Sequence, residues 1–204
     1  MADERLSAED RRLQILLNAG TIFARKGLVG ARTRDIAEAC GISEAVIYKH
    51  FKGKQELFEE FIAYHHAGAQ ARWEELSASA PDGLHALREI SYAQVDLITD
   101  SEDLAGVMIH GIAASTDSED MKTKVRKYFE YFHNFLISFI KRGIEDGSIR
   151  DDTEIQSVAW TIRSLVWSQL VFHMVGLDKI ITGTSSKQIV QVVIDYIDPK
   201  KKRE

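Results

Sequence analysis

The sequence predicts an all-α chain: an N-terminal three-helix unit containing a helix-turn-helix, then a larger helical region. Three observations carry this. Apolar residues recur at three- and four-residue spacing along most of the chain. No alternating strand pattern of useful length occurs, and only two prolines interrupt 204 residues. Residues 33–57, TRDIAEACGISEAVIYKHFKGKQEL, read as two short helices around a glycine turn and the start of a third.

A first helix is expected from Ser7, which stands with Asp10 as in a capping box, to Gly27. Thr33 is placed as N-cap of the second helix, with Asp35 in the first turn where the helix dipole favours an anion. Ile36, Ala37 and Cys40 share one face, and Gly41 is the expected left-handed stop. Ser43 caps the third helix, with Ile42 and Ile47 as a hydrophobic staple. Ile47 and Phe51, four apart, anchor that helix and leave Tyr48, Lys49 and His50 outward. Gly53 is expected to end it, and Lys54 opens a long helix to Ser79, stopped by Pro81-Asp82-Gly83. Further helices are expected over Leu84–Thr99, Glu102–Ala114, Ser118–Glu145, Asp152–Val175 and Ser185–Ile197. No internal repeats occur.

The exposed groups of the helix-turn-helix suit duplex DNA. Small residues at the start of a recognition helix let its backbone approach the major groove. Ser43 can bond a base edge or phosphate, and Ala45 and Val46 can meet thymine methyls. Tyr48, Lys49, His50 and Lys54 have the reach for phosphates, which supply affinity and register but no sequence choice. The competing reading is a packing unit with ordinary surface charge.

This stretch resembles the TetR family of bacterial transcription regulators. The family pattern is met by Thr33, Ile36, Ala37, Gly41, Ser43, Tyr48, His50, Phe51, Lys54 and Leu57. Ile15, Leu16, Ala19, Phe23 and Gly27 fall where that family's first helix has its core positions. The motif covers about the first quarter of the chain. Arg32 departs from a frequent Thr and adds a candidate phosphate contact beside Thr33 and Arg34. Glu44 and Ala45 replace a frequent Lys-Gly, and Val46 a frequent Thr. Phosphate repels Glu44 unless that carboxylate accepts from a cytosine amino group or points away, so the departures leave the operator sequence open.

Composition fits this resemblance. The net charge of −5 splits unevenly: residues 21–54 carry 7 basic and 3 acidic side chains, while residues 61–204 carry 16 and 21. Positive charge is local to the proposed DNA-facing unit. One cysteine excludes a disulfide within the chain and a Cys-rich zinc site; Cys40 reads as a small buried residue, with a redox switch as the lesser alternative. No apolar signal core or run of membrane length is present, so a cytoplasmic location is expected. No phosphate loop, His-Glu-x-x-His or Gly-x-Ser-x-Gly pattern occurs, and adjacent His65 and His66 make a poor metal pair. No catalytic residue, metal or cofactor is assigned. The basic tail from Pro199 to Glu204 is expected to be solvated and disordered.

Two later helices bear on assembly. In 152–175, Ile155, Val158, Ala159, Ile162, Val166 and Leu170 form one stripe, and Trp160, Arg163, Trp167, Val171 and Met174 another. In 185–197, Ile189, Val192, Val193, Tyr196 and Ile197 share a face. A helix apolar on two sides needs two partners. The resemblance implies that one is a second subunit, these helices and their mates forming a four-helix bundle; an interior helix of a monomer is the alternative. An aromatic stripe (Val125, Tyr128, Phe129, Phe132, Phe135, Leu136, Phe139, Ile140) suggests a pocket. Tyr92, Met108, His110, Phe132, His133, Trp160, Arg163 and Trp167 are the candidate effector contacts, with His173 as a further polar tip.

The sequence thus points to a homodimeric repressor. Residues 1–54 would read a palindromic double-stranded DNA operator, and residues 55–204 would dimerise and bind a small, mostly hydrophobic effector. The alternative is an effector-independent, DNA-bound interaction protein of the same fold.

Overall fold

The computed structural model describes residues 6–99, 101–116, 118–177 and 186–202, without the side chains of Thr99, Glu102 and His173. Among these residues the chain is helical, with no strand. The helices are α1 (Ala8–Gly30), α2 (Thr33–Cys40), α3 (Glu44–His50), α4 (Lys54–Ser79), α5 (Gly83–Thr99), α6 (Glu102–Ala114), α7 (Glu119–Glu145), α8 (Ile155–Met174) and α9 (Ser186–Ile197). The expected start at Ser185, the far end of the tail and the side chain of His173 lie outside the described residues.

Two compact units form. One comprises Met1–Ala67 with Glu102–Thr123, and the other Gly68–Ser101 with Lys124–Glu204. The division was expected at residue 54; in packing, the first half of α4 and all of α6 go with the N-terminal helices. α4 is one continuous helix with a part in each unit.

In the first unit, Ile15, Leu16, Ala19 and Phe23 of α1 are buried, as are Ile36, Ala37, Cys40, Ile47, Phe51, Leu57 and Phe58. Phe23 meets Phe58 edge-on at 5.2 Å between centroids. The Ser7 hydroxyl accepts from the Asp10 N–H at 3.0 Å, capping α1 as expected. Gly27 has φ 65° and ψ 175°, so the regular helix stops there although short turns carry it to Gly30. A Cβ at Gly27 would come within 2.9 Å of His110 Nδ1, so left-handed backbone and the close approach of α6 both require glycine. Thr21 Oγ1 donates to Asp103 at 2.6 Å, a second tie between α1 and α6.

Three expected boundaries shift. Thr33 is the first helical residue of α2, and Arg32 holds the cap position. The Asp35 carboxylate accepts from the Arg32 N–H at 3.3 Å, the acidic half of a capping box, and from Lys26 at 2.8 Å. α3 ends at His50 rather than near Gly53, because Phe51 is extended (φ −141°, ψ 144°) while its ring enters the core. α8 starts at Ile155, not Asp152: Glu154 precedes it, and its carboxylate accepts from the Ser157 N–H at 2.7 Å. Gly41 does end α2 in the left-handed region, at φ 66°.

In the second unit, α5 packs on α8 and α9, and α8 on α9. Val158, Ala159, Ile162, Val166 and Leu170 of α8 are buried with Val190, Ile194 and Ile197 of α9. Trp73 is buried beside Phe132 (4.9 Å) and Phe135 (5.8 Å). The turn between α7 and α8 holds the C-terminal segment. The Arg150 N–H donates to the Ile197 carbonyl at 3.0 Å, and its guanidinium donates to the carbonyls of Tyr196 and Lys201. The tail is therefore held as far as Lys201, in place of the disorder its charge suggested. No helix among the described residues is long and apolar enough to cross a membrane.

Candidate nucleic-acid interface

α3 turns Ile47 inward, leaves Val46 and His50 half-buried, and leaves Ala45, Tyr48 and Lys49 exposed. Those three are i, i+3 and i+4, a single face with Ala45 at its apex and Tyr48 56% exposed. A small residue at the apex lets the helix approach closely, and the tyrosine and lysine reach past it. Ser43 occupies the cap position of α3, but its hydroxyl makes no capping bond, so it is exposed and free to engage a ligand.

The basic groups divide by what already holds them. Arg34 pairs with Glu38 at 2.8 Å, and Lys26 is paired with Asp35, whose carboxyl this lysine holds below its ordinary value. Lys54 Nζ donates to the carbonyls of Val29 (3.1 Å) and Ala31 (3.0 Å), closing the turn between α1 and α2. Two of its three protons are thereby spent, which makes Lys54 first a positioning group. The exposed Arg32 and Lys49 carry no ion pair among the described residues. Lys52, just past the end of α3, is an exposed cation that sequence reasoning left out.

Thr33, Glu44 and Tyr48 meet where α2 and α3 begin. Thr33 Oγ1 donates to Glu44 Oε2 at 2.7 Å and lies 3.3 Å from the Tyr48 hydroxyl. The spacing of 11 residues between Thr33 and Glu44 carries no periodic signal, so the sequence could not reveal this contact. Cys40 is buried and burial raises its thiol above the ordinary value, as suits a core residue rather than a reactive one.

Lys54→Ala should therefore lower stability by about 1 kcal/mol, through loss of charged hydrogen bonds at a part-buried turn. It should reduce the salt slope of DNA binding by less than the full unit of an unencumbered phosphate contact. Chemical denaturation and a salt titration measure the two; unchanged stability would refute the positioning role.

The eight candidate effector residues fall in several places. Met108 and His110 lie on α6 in the first unit, His110 against Gly27. In the second unit, the Tyr92 hydroxyl donates to Gln191 on α9, and Phe132 is buried against Trp73. The other four gather on α7 and α8. Arg163 lies over the rings of Phe129 (4.5 Å) and Trp160 (4.9 Å), with Trp167 4.6 Å from Phe129 and His133 4.9 Å from Trp160. Burial pulls the Arg163 guanidinium below its ordinary value, and no carboxylate pairs with it among the described residues. A separate cleft of about 370 Å³ in the second unit is lined by Gly68, Ala69, Arg72, Trp73, Ala93, Asp96, Leu97 and Ser101, none of them among the eight. Among the described residues, no three His, Cys, Asp or Glu side chains gather as metal ligands.

A cap, a left-handed glycine stop and a small-residue apex flanked by Tyr48 and Lys49 define a helix-turn-helix DNA-binding regulator. Residues 15–61 match the family model described as bacterial regulatory proteins, tetR family. The chain is 26% identical over 204 residues to the HTH-type transcriptional repressor KstR2 of Rhodococcus jostii, covering 95% of this chain and 94% of that one. The structure is similar to the ketosteroid transcriptional regulator KstR2 of Mycobacterium tuberculosis (TM-score 0.74, 21% identity, 95% and 98% of the two chains). It is also similar to AibR in complex with isovaleryl coenzyme A and operator DNA (TM-score 0.71, 18% identity, 93% and 98%). Residues 15–61 thus carry the family's DNA-binding region, and over its length the chain is similar to TetR-type transcriptional regulators.

Proposed function

We propose that the protein is a cytoplasmic homodimeric repressor that leaves a palindromic operator when a small, mostly hydrophobic effector binds its second unit. The observation that carries the dimer is the apolar outer face of α8 and α9. Trp160, Val171, Met174, Val192 and Tyr196 are 43–70% exposed in the single chain, although each helix already buries a full stripe against its own core. Large apolar side chains left exposed on two packed helices suit an interface. A two-fold dimer carries two α3 helices, which must meet major grooves about 34–36 Å apart, hence a palindromic site.

Arg32, Thr33, Arg34, Ser43, Ala45, Val46, Tyr48, Lys49, His50 and Lys54 form the proposed DNA surface, with the exposed residues of α3 reading bases. Phe129, His133, Trp160, Arg163 and Trp167 support an aromatic effector site with one cation. A desolvated guanidinium between two rings suits an apolar ligand that carries an anionic group. AibR, solved with an acyl-coenzyme A, makes that ligand class the first to test here. Because α4 runs through both units, its tilt can transmit effector binding to Lys54 and the α1–α2 turn. A full switch requires the effector to prefer the released state by about 5.5 kcal/mol.

The test is release of a fluorescent operator duplex by graded acyl-coenzyme A thioesters and their free acids, with Arg163→Ala as control. Saturable release by one chain-length class, weakened in the variant, is the expected result. If no compound of either kind releases DNA, the effector-independent interaction protein becomes the better reading.

A further inference from the structure

We infer that Glu44 reads a cytosine in each operator half-site, accepting from its exocyclic amino group. This rests on the DNA-binding reading above and specifies the base chemistry it uses. Glu44 is the first residue of α3, one position before the exposed apex Ala45 and four before the exposed Tyr48. It therefore sits at the rim of the face that would enter the groove. An acidic side chain there opposes phosphate, so its presence needs a compensating partner.

The structure accounts for half of that carboxylate. Oε2 accepts from Thr33 Oγ1 at 2.7 Å, which ties the side chain to the first turn of α2 and restricts its rotamers. Oε1 has no hydrogen-bond partner among the described residues; no cation there forms an ion pair with Glu44, and Arg34, already bound to Glu38, acts on it only through space. A tethered carboxylate with one open oxygen is an acceptor only. In the major groove it faces four base edges. Guanine O6 and N7 and thymine O4 present lone pairs that repel it, and adenine sets its N7 acceptor beside its amino group. Cytosine alone offers an amino donor with no acceptor on the same base in that groove. Glu44 would thus select by attraction to one base and repulsion of the others, while Thr33 acts as its positioning residue.

Binding-site selection with wild type, E44A and E44Q tests this, followed by competition among duplexes differing at the one position. The wild-type motif should contain a symmetry-related cytosine that competes roughly 5- to 100-fold better than the other bases. E44A should lose that preference and bind random duplex more tightly, since a negative charge has left the interface. E44Q keeps the side-chain shape and an acceptor for Thr33 and should shift the preference toward adenine, which an amide matches at N6 and N7. Thermal unfolding of each variant establishes that it is folded. A wild-type motif that both variants reproduce would overturn the inference and leave the DNA-binding reading standing. Failure of the wild-type protein to enrich any motif would overturn both.

Discussion

Val192→Asp is expected to convert the proposed dimer into a folded monomer and to cut operator affinity at least about a hundredfold, toward nonspecific binding. Val192 is 70% exposed in the single chain, so aspartate there breaks nothing inside the second unit. In the proposed bundle the same carboxylate would be buried in an apolar interface, where an unpaired charge is strongly destabilising. Losing one subunit forfeits one recognition helix and half of the phosphate contacts. Analytical ultracentrifugation gives the mass, circular dichroism the fold, and anisotropy the affinity. A Val192→Asp protein that stays dimeric and binds operator normally would place the interface elsewhere.

Trp73→Ala is expected to cost about 3–5 kcal/mol, the range for removing a large buried aromatic. Trp73 is 1% exposed, stacks on Tyr131 at 6.3 Å and lies 4.9 Å from Phe132. For a chain of this size that loss corresponds to a melting point lower by roughly 6–20 °C. Trp73 also lines the 370 Å³ cleft, so the deletion would enlarge it. Thermal unfolding decides; a shift under about 2 °C would show that the second unit collapses into the space and that Trp73 is not a pillar of its core.

The helices were legible because their signals are local. Ser7 with Asp10, Gly27, Gly41 and Pro81-Asp82-Gly83 each mark a boundary within a few residues. The two-sided character of α8 was legible as well, since Trp160, Val171 and Met174 recur at helical spacing opposite a buried stripe. On α9 the split was blurred: Ile197 was grouped with Val192 and Tyr196, yet it is buried with Val190 and Ile194 on the inward face. What failed to show in the sequence depends on long-range geometry. Lys54 was read as a phosphate contact, and only the fold brings the carbonyls of Val29 and Ala31 to its ammonium. Glu44 was an anomaly until Thr33 arrived beside it. The effector residues were chosen as polar tips on apolar helices, a pattern that also describes Tyr92 bonded to α9 and His110 packed on Gly27.

The most direct test of the account is selection of bound duplexes from a random library by the purified full-length protein, followed by a salt titration on the winner. The account predicts a two-fold symmetric motif whose half-sites are about one helical turn apart, bound with steep salt dependence. No enriched motif, with only weak nonspecific binding, would contradict it.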